Sequence, residues 1–316
     1  MEINNVAIKK GENTTVKIKV GDLPSGNSIN LFAHVFRSKK EGPTLLVLGG
    51  VHGDEINGVE IVRRAVKAGF FSKLQCGNVI AVPLLNIYGF INFSRDLPDG
   101  KDVNRSFPGV KNGSLASRVA YTLTKHLLPL ADFVIDFHTG GKSIYNFPQV
   151  RISNGDAASL SLAHDFSAPF IVKSDLILKS LRKECAKSKK PILVFEGGES
   201  LRIDNFSIQE GLKGIRRVMQ IKGMLDEEVS EAQQNIIIEH DLWVRANQSG
   251  LFIFYKRSGD YVEKGDLLGH ITDPYGTKET KVKSPVSGYI YGHNNIPIVN
   301  MGDALFHIGY SENTIH

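Results

Sequence analysis

The stretch TLLVLGGVHGDEINGVEIVRRAVKAG, residues 44–69, decides how the first part of the chain folds. Residues 44–48 form an apolar, β-rich run that the pair Gly49 and Gly50 stops. A short apolar run bounded by turn signals reads as a strand buried on both faces. NGVEIVRRAVKAG then reads as a helix, with Gly69 in the place a glycine takes just past a helix end.

The same design recurs downstream. NVIAVPLL (78–85) reads as the next strand and LASRVAYTLTKHLLP (115–129) as an amphipathic helix ended by proline. ADFVIDFHTGG (131–141) reads as a buried strand, and PILVFEGGES (191–200) repeats its pattern. Strands alternating with helices predict an α/β fold, a mixed but mostly parallel sheet covered by helices. In such sheets ligands bind just beyond the strand ends, where His138 and Glu196 fall.

From about Ile236 the texture changes to short strands and turns without a helical period. SGLFIFYKRSGDYVEKGDLLGHI (249–271) and SGYIYGHNNIPIVNMGDALFHI (287–308) both open on Ser-Gly and close on Gly-Asp-x-Leu-x-His-Ile. Two similar β-units in tandem predict a small all-β sandwich, with His270 and His307 in equivalent places. The boundary is placed in the polar stretch DEEVSEAQQN, giving domains 1–232 and 233–316.

Composition narrows the classes. The chain has 316 residues, 41% hydrophobic and 22% charged, as expected of a globular protein with one large or two moderate cores. The net charge of +5, from 38 Lys and Arg against 33 Asp and Glu, is scattered. Its densest basic stretch, 179–190, also holds Glu184 and reads as a solvated helix face, so no nucleic-acid partner is expected. Cys76 and Cys185 are too few for a disulfide framework and have no CxxC spacing. MEINNVAIKKGENTT lacks the apolar core of a signal peptide, and no apolar run is long enough to span a membrane. A cytoplasmic protein without a membrane partner is expected.

The chemistry concentrates in a few places. In GGVHGDEINGVE, His52 and Glu55 stand three apart between a strand and a helix, so their side chains share a face. An imidazole and a carboxylate placed so can hold Zn²⁺, yet His-x-x-Glu recurs often by chance, and taken alone the pair reads more readily as a helix cap at His52 and a dipole partner at Glu55. His138 supplies a third candidate ligand at a strand end. Asp136, two residues earlier, faces the same side and can orient its imidazole. Two histidines and one carboxylate leave one zinc position open, the pattern of a catalytic site. Glu196, before Gly197 and Gly198, can serve as general acid and base, or as a turn carboxylate. The loop SRDLPDGKDVNRSFPG (94–109) carries Arg95, Asp102, Asn104 and Arg105, and arginines there can hold a carboxylate or an oxyanion.

Taken together, GGVHGDEINGVE, SRDLPDGKDVNRSFPG, VIDFHTGG and FEGGES resemble, in order, the succinylglutamate desuccinylase/aspartoacylase family of carboxypeptidase A-like zinc hydrolases. The resemblance continues through WVRANQSGLFIF, GDYVEKGDLLGHITDPYG and SPVSGYI and so covers nearly the whole chain. It implies one zinc per chain on His52, Glu55 and His138, with Glu196 as general acid and base. It also implies that Asn104 and Arg105 bind the substrate carboxylate and that Arg95 polarises the scissile carbonyl. The implied activity is removal of the acyl group from a small anionic N-acyl amino acid. The C-terminal part resembles the barrel-sandwich of biotinyl and lipoyl domains, but its hairpin DPYGTKETKVKSP lacks their attachment motif, and Lys278 is not in the right setting. A zinc carboxypeptidase or peptide amidase is the alternative of the same class, and a non-catalytic carrier or binding protein that of another. A homo-oligomer is left open.

Overall fold

The computed structural model describes residues 1–311. After a short ribbon of Glu2–Ile3 paired with Val6–Ala7 comes a hairpin, β1 (Asn13–Asp22) and β2 (Ser28–Arg37). Then follow β3 (Thr44–Gly49), α1 (Ile56–Lys67), β4 (Asn78–Val82), α2 (Leu115–His126), β5 (Phe133–Gly140) and β6 (Ile144–Ser153). The helical part ends with α3 (Ala157–Phe166), β7 (Phe170–Ser174), α4 (Leu181–Lys187), β8 (Ile192–Glu199) and α5 (Asn205–Ile221). Only strands and turns follow: β9 (Ile236–Ile238), β10 (His240–Arg245), β11 (Gly250–Phe254), β12 (Leu267–Thr272), β13 (Glu279–Lys283), β14 (Gly288–Asn294) and β15 (Ala304–Tyr310), with two two-residue strands among them. No described helix is long and apolar enough to cross a membrane.

Among the described residues the main sheet has thirteen strands, in the order β10–β15–β14–β6–β8–β5–β3–β4–β2–β1, with β7 beside β6, β9 beside β7 and the two-residue strand Tyr261–Val262 beside β14. Successive side chains of a strand point to opposite faces, which explains the two cores. Leu46 and Leu48 of β3 face Val119 and Leu123 of α2 and Leu181 of α4. Leu45 and Val47 face Ile61 and Val62 of α1, Phe166 of α3 and Ile215 and Val218 of α5. Each of these large apolar side chains stabilises the fold by about 1.5–3 kcal/mol when fully buried.

The sheet is mixed, as expected, but it is not mostly parallel. Only β8–β5–β3–β4 and β6–β7–β9 pair in parallel, five pairings against seven antiparallel ones among the described residues. Parallel neighbours need a long crossover, which the segments holding α1 and α2 provide between β3, β4 and β5. Elsewhere the chain turns back sharply. The turn at 23–27 makes β1 and β2 a hairpin, and the turn at 141–143 reverses β6, which therefore lies antiparallel to β8.

The segment after residue 233 folds into two β layers over its own core. Phe252, Leu268, Ile271 and Val282 of β11, β12 and β13 pack against Val244, Ile290, Leu305, Phe306 and Ile308 of β10, β14 and β15. The second of these layers is also the end of the main sheet. Its β14 pairs with β6, Gly292 opposite Asn146 and His293 opposite Tyr145, and β9 pairs with β7. The polar stretch 226–235 has no helix or strand, but sheet hydrogen bonds join its two sides. The tandem units align as β11 with β14 and β12 with β15, yet their histidines differ. His270 meets the exposed Tyr255 hydroxyl, whereas His307 is buried between Tyr291, Asp241 and Trp243.

Candidate metal centre

Two glycines let the chain bring the site together. Gly58 of α1 lies against β5 so closely that a Cβ there would sit 2.6 Å from the Phe137 carbonyl oxygen. In the loop after β3, a Cβ on Gly53 would sit 2.0 Å from the Gly89 backbone. The close approach of α1 to β5 sets Glu55, just before the helix, over His138 on the strand.

Glu55 makes no cap hydrogen bond to its helix. Its Oε1 lies 2.7 Å from His52 Nδ1 and its Oε2 2.7 Å from His138 Nδ1, and Oε2 also accepts from the Thr139 N–H at 3.3 Å. The two Nδ1 atoms are 3.1 Å apart. Behind each ring stands a carboxylate: His138 Nε2 is 2.9 Å from Asp136 Oδ2, and His52 Nε2 is 3.2 Å from Asp102 Oδ1. Both imidazoles therefore turn Nδ1 inward and are oriented from behind, the arrangement of metal-ligating histidines. All three residues are buried, and one ligand atom from each lies within 4.8 Å of the others. Two nitrogens and a carboxylate are the donor set of a three-residue zinc site, so the residues present fit that ion.

The carboxylates around the two imidazoles favour positive charge within the cluster. Burial opposes a charge on His138, but Asp136 and Glu55 outweigh it and lift its pKa well above the usual value. Burial likewise works against His52, which Glu55 and Asp102 raise. Glu55 is held well below the carboxylate range: burial pushes it up, and the two histidines more than reverse that.

Arg95 sits at the edge of this cluster. It donates to Asp102 Oδ2 from Nη2 at 2.9 Å and to Glu55 Oε1 from Nη1 at 3.3 Å. Glu196 of β8 pairs in register with His138 of β5 and lines the same cavity. Its carboxylate accepts from Asn146 Nδ2 at 3.1 Å, and burial lifts its pKa above the ordinary glutamate value, with Arg151 and His138 acting against that rise. Asn104 spends its carbonyl oxygen on the Leu181 N–H, 2.9 Å away at the start of α4. Arg105 is exposed, donates to the Asn104 carbonyl at 2.7 Å and reaches the cavity wall.

The structure thus brings His52, Glu55, Arg95, Asn104, Arg105, Asp136, His138 and Glu196 around one cavity of about 290 Å³. Among the wall residues that escaped the sequence reading are Asn146, Arg151, Arg182 and Trp243. Asn146 and Arg151 lie on β6, whose strand pattern carries no chemical motif. Arg182 lay within a stretch read as a solvated helix face. Trp243 comes from beyond residue 233, held by stacking on His307 at 3.9 Å between ring centres. Asp102, noted in its loop without a role, backs His52.

Comparison with known proteins adds three findings. The family model for the succinylglutamate desuccinylase/aspartoacylase catalytic domain matches residues 41–222. N-alpha-acetyl-L-2,4-diaminobutyric acid deacetylase from Halomonas elongata is 28% identical over 281 residues, covering 84% of this chain and 81% of that protein. Among solved structures, a product-bound ectoine utilization protein from Ruegeria pomeroyi superposes with a TM-score of 0.85 at 24% identity, over 97% of each chain. A succinylglutamate desuccinylase/aspartoacylase from Rhodobacter sphaeroides does so with a TM-score of 0.87 at 23% identity, over 99% of this chain and 100% of that one. The last two likenesses concern the fold.

Proposed function

Because the chain belongs to the succinylglutamate desuccinylase/aspartoacylase family, we propose that it hydrolyses the amide bond of a small N-acyl amino acid, with one zinc held by His52, Glu55 and His138. The observation that carries this reading is the convergence of three buried metal-ligand candidates and Glu196 on one cavity. The activity of the Halomonas relative, removal of an acetyl group from an N-acyl amino acid, supports it.

A divalent ion held by these residues supplies Lewis acidity toward water and the scissile carbonyl. The protein residues divide the remaining work. Glu196 takes a proton from the attacking water and passes it to the leaving nitrogen, a task for which a raised pKa suits a carboxylate. Arg95, beside the metal-ligand cluster, stabilises the negative charge that grows on the carbonyl oxygen. Asn104 and Arg105, further along the wall, hold the substrate carboxylate. Trp243, brought into the cavity wall by the C-terminal segment, limits the size of what fits, so a small acyl amino acid is accommodated better than a peptide.

The test is a panel of N-acyl amino acids offered to the zinc-loaded protein, with and without a chelator. Chelator-sensitive release of the free amino acid is expected. Failure to cleave any member of a panel that spans acetyl, succinyl and longer acyl groups would refute the proposal.

A further inference from the structure

Beside Glu196 on the sheet stands a residue that none of the roles above uses. In the sheet register His138 of β5, Glu196 of β8, Gln149 of β6 and Phe170 of β7 are neighbours in one row. Paired residues point to the same face, so the Gln149 side chain lies on the face that carries His138 and Glu196. Gln149 is fully buried, behind the cavity wall rather than in it. Neither its Nε2 nor its Oε1 has a hydrogen-bond partner.

A side-chain amide buried in this way is costly, and protein interiors almost always supply it with a partner. On one side Gln149 meets Phe170, which packs with Phe147 and Tyr291 in an apolar cluster, the Tyr291 hydroxyl lying 2.7 Å from His307 Nε2. On the other side stands Glu196, and two residues along the same strand face stands Arg151. These two form an ion pair, Arg151 Nε to Glu196 Oε1, whose 3.8 Å is too long for a hydrogen bond. Arg151 Nε is itself buried without a hydrogen-bond partner. Glu196 spends Oε2 on Asn146, which leaves Oε1 to accept. Asp136 Oδ1 is also buried and unpartnered, but β5 and β6 are two strand spacings apart, about 10 Å. The unmet groups beside Gln149 are thus a donor on Arg151 and an acceptor on Glu196. One amide, with an N–H at one corner and a carbonyl oxygen at the other, matches both.

We propose that Gln149 is a positioning residue whose amide bridges this ion pair in the zinc-loaded protein, Nε2 donating to Glu196 Oε1 and Oε1 accepting from Arg151 Nε. The bridge forms by side-chain rotation, since the β6–β8 pairing fixes the backbone of all three residues. It gives a partner to Gln149 Nε2, Gln149 Oε1 and Arg151 Nε at once. Glu196 is then held at both oxygens, by Asn146 on Oε2 and by Gln149 on Oε1. Its carboxylate cannot swing away from the line between the attacking water and the leaving nitrogen. This rests on the role given to Glu196 above. Gln149 touches neither substrate nor metal, so its effect falls on kcat and not on substrate binding.

Two measurements test the bridge, one of them independent of turnover. In a crystal structure of the zinc-loaded full chain, Gln149 Nε2 to Glu196 Oε1 and Gln149 Oε1 to Arg151 Nε should both fall within about 3.2 Å. An amide bonded elsewhere, or to water alone, overturns the inference. Gln149→Met keeps the length of the side chain and lacks the amide. It should lower kcat about tenfold or more while KM stays within about twofold and the zinc content is unchanged. In a Glu196→Gln background the same change should cost less than about twofold, because Gln149 acts only through Glu196. A purely structural amide would leave kcat of the folded variant as it was, or lower it equally in both backgrounds, and either result overturns the proposal. Should Gln149→Met fail to fold by circular dichroism, Gln149→Leu takes its place. A substrate panel left uncleaved refutes the hydrolase reading, and the crystal distances then decide the bridge by themselves.

Discussion

At Glu196 two demands meet: it must lose a proton to act as a base and regain one to act as an acid. Its pKa is raised by burial, with Arg151, His138 and the Asn146 hydrogen bond pulling the other way. The acid limb of kcat/KM should therefore lie above the ordinary glutamate pKa, with activity lost as pH falls through it. Asn146→Ala removes a hydrogen bond that favours the charged form and should move that limb further up. A limb that stays put or moves down in a pH–rate profile contradicts the assignment. Glu196→Gln should keep zinc, by metal analysis, while losing about 10²–10⁴-fold in kcat, and a loss below about threefold contradicts its role. Arg105→Ala should chiefly raise KM, since a remote carboxylate is held alike in ground and transition states. Steady-state kinetics in which kcat falls and KM holds would reverse that role.

Residues of this kind were legible in the sequence only where they stood in local patterns. His52 and Glu55 share one turn, and His138 and Asp136 one strand face, so spacing alone paired them. Asn146 and Arg151 enter the site through strand order: β6 lies beside β8 only after the turn at 141–143 has reversed it. Nothing local marks that adjacency.

At the scale of elements, the site depends on how closely α1 approaches β5. Gly58 makes this approach at a cost to the helix of roughly 1 kcal/mol relative to alanine. Gly58→Ala would bring a Cβ to 2.6 Å from the Phe137 carbonyl oxygen, so helix and strand must part. The variant should lose about 1–3 kcal/mol of stability. It should also bind zinc more weakly, because Glu55 moves with the helix while His138 stays with the strand. Thermal unfolding and a zinc titration check both, and unchanged zinc affinity would show that the approach does not set the ligand geometry. The helices α1 and α2 and strands β3, β4, β5 and β8 could be read from apolar runs and their stops. The hairpin β1–β2 was missed, although Val16, Ile18 and Val20 bury alternately along NTTVKIKVGD, because a single period-two run does not say which strand it pairs with. The parallel preference was overdrawn because the alternation of strands and helices hides short reversals.

For the whole molecule, the segment after residue 233 is bound to the rest by sheet pairing and by Trp243 in the cavity wall. Ending the chain near Glu231 removes β9 and β14 from beside β7 and β6 and leaves long strand edges open. Such a chain should aggregate or unfold at lower temperature, and a soluble, fully active truncated enzyme would show that the segment is dispensable. Trp243→Ala should leave the fold in place, widen the cavity and admit bulkier acyl amino acids, as a comparison of kcat/KM across acyl lengths will show. The tandem repeat was plain from Ser-Gly and Gly-Asp-x-Leu-x-His-Ile, but its attachment to the main sheet was not, since hydrogen bonds between β14 and β6 join residues far apart in sequence.

The central claim is the metal centre, and anomalous X-ray diffraction at the zinc edge from zinc-loaded crystals tests it most directly. The account predicts one peak per chain, about 2.0–2.2 Å from His52 Nδ1, His138 Nδ1 and a Glu55 oxygen, with Asp102 and Asp136 remaining behind the two rings. A peak elsewhere, or none at saturating zinc in the absence of chelator, would contradict it.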